Sequence, residues 1–344
     1  MDFTLHKDFS DLDPTEWNAL LEESITNVPF LRYEYLSTWW ATRGGGEWPQ
    51  AELVLVSAQK NNRLIGIAPL FLSEHEGHQA LMLLGSIEIS DYLDLIVSAD
   101  DLSCFLSGLL DTLAADSALG WSVVSTGSAR RIDWYNLPGD SPTLAALEAE
   151  SVKRSWKFTK EPFRPSLYVP LPGNFETYLG NIDKKQRHEI RRKIRRAEES
   201  EQNVRWYIVE DEATLEAEVD DLLALMANDR NKEEFLTEVM RTQMRDSVHA
   251  AFNAGWLQLA FLVVNERKAA GYLNFDYRDR IWVYNSGLDF DFGELSPGWV
   301  LLGYLLQWAN EHGRKEFDFM RGDEDYKYKF GAIKRDVMRV RVER

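Results

Sequence analysis

The segment Gly322–Lys329, GDEDYKYK, holds three acids, two tyrosines and two lysines in eight residues. That mixture suits attack on an acyl carbon. The carbonyl oxygen gains negative charge in such a reaction, and a positioned lysine or backbone N–H stabilises it. The incoming amine loses a proton, which an aspartate or glutamate accepts, and a tyrosine returns one to the leaving group. Lys327 is the candidate electrophilic stabiliser and Tyr326 the candidate acid. Asp323 and Glu324 are candidates for base or substrate contact. Asp318 lies between Phe317 and Phe319 on a short apolar strand, where an acid needs a partner. A structural pairing and a role as base or orienting group both satisfy that need. A solvated charged loop explains the same composition, so the surrounding elements must decide.

Upstream, Ser296-Pro297-Gly298 opens an apolar helix. Serine is a good N-cap and proline suits the first helical position. Gly298 leaves backbone N–H groups uncovered, and helix N-termini favour phosphate. An ordinary capped core helix is the competing reading. The strand IWVYNSGLD, 281–289, precedes this helix, and Trp282 and Tyr284 in it also suit a core.

This order of elements occurs twice. Residues 53–71 read as strand, turn, strand, with the turn at Lys60-Asn61-Asn62-Arg63. Residues 257–275 read the same way, with the turn at Asn265-Glu266-Arg267-Lys268. A further strand region follows each hairpin, at 90–97 and 280–289. Apolar helices follow at 102–114 and 297–309. Each helix leads to a glycine, Gly120 or Gly313, then a strand and a small polar loop, Thr126-Gly127-Ser128 or Arg321-Gly322-Asp323. Glycine pairs Gly66/Gly271 and Gly108/Gly303 lie roughly 200 positions apart, a period that means two related domains rather than a solenoid. The expected division is 1–150 and 151–344. Proline-rich connections lie at 137–142 and 161–165. Helices are expected at 143–150, 175–202, 212–228 and 232–254. The first-half helix starts with Asp100 and Asp101, which repel a phosphate.

The net charge is −17, from 39 basic and 56 acidic residues. That balance opposes general nucleic-acid or membrane binding, so neither DNA binding nor membrane insertion is expected. Lys184–Arg196 runs against the trend, with eight Lys/Arg and one Glu. Such crowding favours an anionic partner, although a solvated face is the simpler explanation. No apolar run reaches the roughly 18 residues of a membrane span, and the first residues lack a secretory-signal pattern. The single cysteine, Cys104, lies in an apolar run and reads as buried and structural. A cytoplasmic protein is expected. The six histidines form no zinc-type cluster, so no metal is expected. Nucleophile-elbow, P-loop and dinucleotide-binding glycine motifs are absent.

Five segments carry a resemblance: IAPLF at 67–71, DYLDLIV at 91–97, DKKQRHEIRRKIRR at 183–196, LSPGWVLL at 295–302 and FDFMRGDEDYK at 317–327. The second half resembles the GNAT acyltransferases. The whole chain is similar to their CelD/BcsL-type (BioF2-like) members, cousins of the Fem peptidyltransferases. The resemblance implies an α/β (α+β) fold of two tandem GNAT-like domains, each a mixed, mostly antiparallel sheet flanked by helices. It also implies that the first domain is degenerate for donor binding. It implies acetyl-CoA or another acyl-CoA at Ser296, Pro297, Gly298 and Trp299, with Ser286 and Gly287 on the preceding strand. Tyr284, Asn285 and Asp289 would line the acyl end, and Tyr326-Lys327 matches the family's aromatic-lysine pair. Arg187 and Arg191 on the basic helix would meet an anionic acceptor.

Three functions follow. One is acyl-CoA-dependent N- or O-acyl transfer, acetyl transfer above all, to an envelope-, polysaccharide- or glycan-linked acceptor or another small amine or hydroxyl. The second is Fem-like transfer from aminoacyl-tRNA, which the acidic charge disfavours. The third is a non-catalytic binding protein on the same fold.

Overall fold

The computed structural model describes residues 1–115 and 131–344. The expected Gly120, the strand after it and the Thr126-Gly127-Ser128 loop lie outside the described residues. The chain divides into two units, Met1–Pro165 with Asp336–Arg344, and Ser166–Arg335. The boundary thus falls at 165/166 rather than 150/151, and the chain's last strand returns to the first unit.

The first unit contains β1 (Asp2–His6), α1 (Pro14–Glu22), α2 (Tyr33–Ala41), β2 (Glu52–Lys60), β3 (Arg63–His75), β4 (His78–Leu83), β5 (Ile96–Val97), α3 (Leu102–Ala115), β6 (Arg131–Pro138), α4 (Pro142–Lys153) and β7 (Lys157–Pro162). The second contains β8 (Ser166–Pro170), α5 (Phe175–Asn181), α6 (Lys184–Glu198), β9 (Val204–Ile208), α7 (Glu212–Ala227), α8 (Arg230–Phe235), α9 (Glu238–Asn253), β10 (Leu257–Val264), β11 (Arg267–Tyr277), β12 (Arg280–Leu288), α10 (Pro297–Glu311), β13 (Glu316–Arg321), α11 (Asp325–Lys329) and β14 (Ile333–Arg335). The last strand, β15 (Val337–Glu343), completes the first.

The first sheet runs β1-β2-β3-β4-β6-β15-β7, with β5 beside β3, and the second β9-β10-β11-β12-β13-β8-β14. These are one order built twice: a mixed sheet, mostly antiparallel, with one parallel pair in each (β4 with β6, β12 with β13). In both, the strand beyond the parallel pair is distant from it in sequence: β15 is the chain's last strand, and β8 is the first strand of the second unit.

Both expected hairpins form. Their turns place Asn61 and Asn62, then Asn265 and Glu266, at positive φ, the two-residue geometry that matches strand twist. Elsewhere the expectations are redrawn. Residues 90–95 are not strand, and only Ile96–Val97 ladders with β3. The helix expected over 175–202 breaks where Asp183 caps α6. The one expected over 232–254 breaks where Thr237 caps α9. Cys104 is exposed, not buried. The hairpin glycines are not equivalent: a Cβ on Gly66 would strike Phe105 of α3, one on Gly271 would strike Phe261 and Leu222 of α7.

In the second unit, α10 and α7 cover opposite faces of the sheet. Leu301, Leu305 and Ala309 of α10 pack with Ala260, Ala270 and Tyr272. On the other face Gly271 and Gly287 sit opposite each other. A Cβ on Gly287 would lie 2.5 Å from the Met226 backbone nitrogen, so α7 rests directly on β12.

Candidate functional site

Strands β12 and β13 pair only over Arg280–Trp282 against Glu316–Asp318. Beyond that point β12 continues to Leu288 with no ladder to β13, so the two strands part at their carboxyl ends. Crevices of this kind are where ligands enter open α/β sheets. The register of β12 on β11 also steps here: Leu273 faces Asn285 while Asn274 faces Val283. Such a bulge re-aims the strand's polar groups. After Leu288 the chain turns back over the β10–β11 hairpin, where Leu295 packs on Val264 and Ala269. That detour delivers the start of α10 to the end of β12.

Ser296 does not cap α10 with its side chain, contrary to expectation. It adopts the left-handed conformation, and its hydroxyl instead faces Lys193 Nζ at 2.8 Å. Trp299 and Val300 donate their N–H groups to the Ser296 carbonyl, and Pro297 has none. The Gly298 N–H is thus the backbone donor left over, with no partner among the described residues. Gly298 is glycine for packing as well, since a Cβ would lie 2.9 Å from Leu288. Lys193 comes from α6, whose Ile190 and Ile194 pack on Gly303 of α10. It stands 4.7 Å from the Trp299 ring centre, and burial lowers its pKa. Glu189, one turn earlier on α6, lies 3.7 Å from its ammonium and offsets part of its charge.

The other predicted residues fall into two groups. Tyr326 packs edge-on against Phe319 and is largely buried. Burial, then Glu324, raises its pKa, so it stays protonated at neutral pH. Its neighbour Tyr272 on β11 is raised by burial and by Tyr326, and its hydroxyl lies 3.5 Å from the Gly298 carbonyl. Ser286 faces Tyr272 across the ladder and shares its side of the sheet. Asn285 accepts from Lys232 at 3.1 Å. Ser286, Ser296, Gly298, Trp299, Tyr326 and Asn285 therefore border the crevice, and Tyr284 packs its ring on Phe275 beside the bulge.

The remaining residues are engaged in holding the structure. Lys327 is buried, and its ammonium donates to the Arg321 and Gly322 carbonyls at 2.8 and 3.3 Å and pairs with Glu324 at 2.8 Å. Three protons are spent on three partners, leaving none for an oxyanion. Asp318 is fully buried, takes the Met320 N–H at 2.6 Å and pairs with Arg335 at 2.8 Å, so it ties β13 to β14. Asp323 accepts from the Tyr328 hydroxyl. Gly287 meets α7 rather than a cofactor. Asp289 caps the following turn at Asp291 and pairs with Arg267. Arg187 caps α5 through the Leu179 and Gly180 carbonyls, and Arg191 pairs with Glu176. Sequence reading missed Lys193 as an individual, Tyr272 and Lys232, because each acts through a contact more than 25 positions away.

The first unit holds a second cluster, His75, Glu76 and Asp133, spaced as a cation site would be. Arg131 and Arg339 already take Asp133 at 2.8 and 2.7 Å and share Glu76, so guanidinium groups neutralise it. Among the described residues no helix is long and apolar enough to cross a membrane.

Residues 184–328 match the family model for the acetyltransferase (GNAT) domain, a stretch that lies within the second unit. No curated protein matches the chain. Three solved structures share the fold over nearly the full length. FemX does so at 12% identity and TM-score 0.66, covering 99% of this chain and 97% of that one. A conserved protein of unknown function from Bacteroides thetaiotaomicron VPI-5482 does so at 12% and 0.63, covering all of both chains. L-PGS from Bacillus licheniformis does so at 12% and 0.55, covering 95% and 91%. At such identities the likeness is one of fold. The architecture is two tandem GNAT-like domains.

Proposed function

We propose that the chain is an acyl-CoA-dependent N- or O-acyltransferase of the CelD/BcsL kind, with its donor site in the second unit. The observation that carries this reading is the parted β12–β13 pair with a cationic helix start beside it. Gly298 N–H, the Ser296 hydroxyl and Lys193 converge as donors for a pyrophosphate. The pantetheine arm would enter between the strands, with its thioester near the β12 bulge. The acceptor's amine or hydroxyl attacks the thioester carbon and the C–S bond breaks. Tyr326 gives its proton to the departing thiolate, and Glu324, through water, takes the proton released by the nucleophile.

A second reading, transfer from aminoacyl-tRNA, rests on α6. Lys184, Lys185 and Arg195 are exposed and have no anionic partner among the described residues. They lie on the helix that also carries Lys193.

Calorimetry decides between the readings. CoA and acetyl-CoA should bind saturably, and Lys193→Met should weaken both about tenfold, as expected for one lost charged hydrogen bond. Silence toward CoA with tight, salt-dependent tRNA binding would replace the first reading by the second.

A further inference from the structure

One cation in the second unit is drawn into the protein with no counter-ion in contact. Lys232, on α8, is half-buried, and its ammonium donates to Asn285 Oδ1 at 3.1 Å and to the Ser286 carbonyl. Both acceptors are neutral. No carboxylate among the described residues lies within ion-pair distance of it; Asp229 and Glu324 act only from farther off. An ammonium takes three hydrogen bonds, so one proton remains. Withdrawing a charge from water without a paired opposite charge is costly, and burial accordingly lowers the Lys232 pKa. Structure alone does not need a charge here, since a neutral donor would tie α8 to β12 equally well.

The position of this cation is informative. Side chains alternate along a strand. Gly287 faces α7 and Asn285, two residues earlier, shares that face; Ser286 and Tyr272 face α10. Lys232 therefore stands at the same β12 segment as the donor pocket but reaches it from the opposite side of the sheet. A ligand threaded through the β12–β13 opening would emerge beside it.

We propose that Lys232 is a recognition cation for a carboxylate on the ligand that emerges on the α7 face. This rests on the donor reading above and adds the class of its other substrate. A single ammonium flanked by an amide, with the negative charges of Asp229 and Glu324 acting on it from farther off, suits a monoanion better than a dianionic phosphate. The carboxylate belongs either to the acceptor or to the far end of a dicarboxylic acyl group.

The test uses full-length protein labelled with 13C and 15N in lysine only. The Lys232 signal is assigned by its absence from Lys232→Gln, or from Lys232→Arg should the first variant fail to fold. Acetate at constant ionic strength is expected to shift that signal saturably, and acetamide to leave it unmoved. A shift by succinyl-CoA that acetyl-CoA does not cause assigns the carboxylate to the acyl group. An acetate shift that persists in saturating CoA assigns it to the acceptor. A Lys232 signal that answers neither acetate nor succinyl-CoA overturns the proposal. A protein that responds to acetate at Lys232 but to CoA nowhere keeps the cation site and loses the donor reading.

Discussion

The two units bend the same strand at the same place and use the bend for opposite ends. Against their antiparallel neighbours, β6 and β13 each carry a register irregularity, the first spanning Trp134 to Leu137 and the second Asp318 to Arg321. Inside it each has one residue at positive φ, Asn136 at 62° and Met320 at 57°. In the first unit, among the described residues, the parallel partner β4 leaves β6 after Leu81 pairs with Ile132 and runs on to Leu83 unpaired to it, so an opening exists there too, but it is filled. The segment 84–95 lies along β6, and Asn136 donates to the Ile87 and Ser90 carbonyls at 3.0 and 2.6 Å and accepts from the Leu93 N–H at 2.8 Å. Leu84, Ser90, Leu93, Asp94 and Leu95 have no exposed surface. Asp94 is pinned by Thr26, Ser141 and Thr143. In the second unit the residue at the bend is an apolar methionine, and the segment after β12 turns away. One frame thus serves as a closed core in one copy and as an open crevice in the other.

That comparison breaks most severely if the strand bookkeeping is wrong. Deleting Asp336–Arg344 removes β15 from between β6 and β7 and takes Arg339 away from Asp133, a fully buried carboxylate. A domain's entire stability is only about 5–15 kcal/mol, and the loss of an interior strand together with one of the two guanidinium partners of buried Asp133 removes a large share of it. Hydrogen exchange should therefore report an unprotected first unit, while amides of 166–335 keep their protection. Equal loss in both units would show that they are not separable sheets.

The next largest effect concerns chemistry in the open copy. Tyr326→Phe should lower kcat roughly 100-fold, the scale of a lost general acid, while CoA affinity measured by calorimetry stays within about twofold. The ring remains to pack on Phe319, so folding is spared. An unchanged kcat would remove Tyr326 from the reaction and leave the crevice as a binding site.

How much of this was legible beforehand depends on how local the cause is. The hairpins, their turns and both crossover helices follow from alternation and from Asn-rich turns that need no partner elsewhere. The start of α10 was readable from Ser296-Pro297-Gly298 even though the Ser296 hydroxyl bonds Lys193 rather than capping the helix. What failed was the assignment of charge to chemistry. Lys327 and Asp318 look reactive in one dimension, yet their partners are the Arg321 and Gly322 carbonyls and Arg335, set by how the chain folds back. The return of β15 to the first sheet was hidden for the same reason, since a strand at the end of a unit carries no mark of which sheet will receive it.

The smallest effect tests the comparison at its centre, by exchanging the two residues at the bend. Asn tolerates the left-handed region, whereas other side chains pay roughly 1–2 kcal/mol there. Asn136→Met adds that strain and also strips the Ile87 and Ser90 carbonyls of their donor, at about 1–3 kcal/mol for each buried group left unsatisfied. It should therefore destabilise the first unit by about 3 kcal/mol or more in urea denaturation. Met320→Asn runs the other way: the backbone relaxes, but Met320 is only 3% exposed, so the new amide needs a hydrogen-bond partner in the crevice. Relief of the left-handed strain offsets part of that cost, so the expected loss is about 1–2 kcal/mol, smaller than that from Asn136→Met. A loss in the second unit as large as that from Asn136→Met would mean that the amide is sealed away from water there, and that the second opening is as closed as the first.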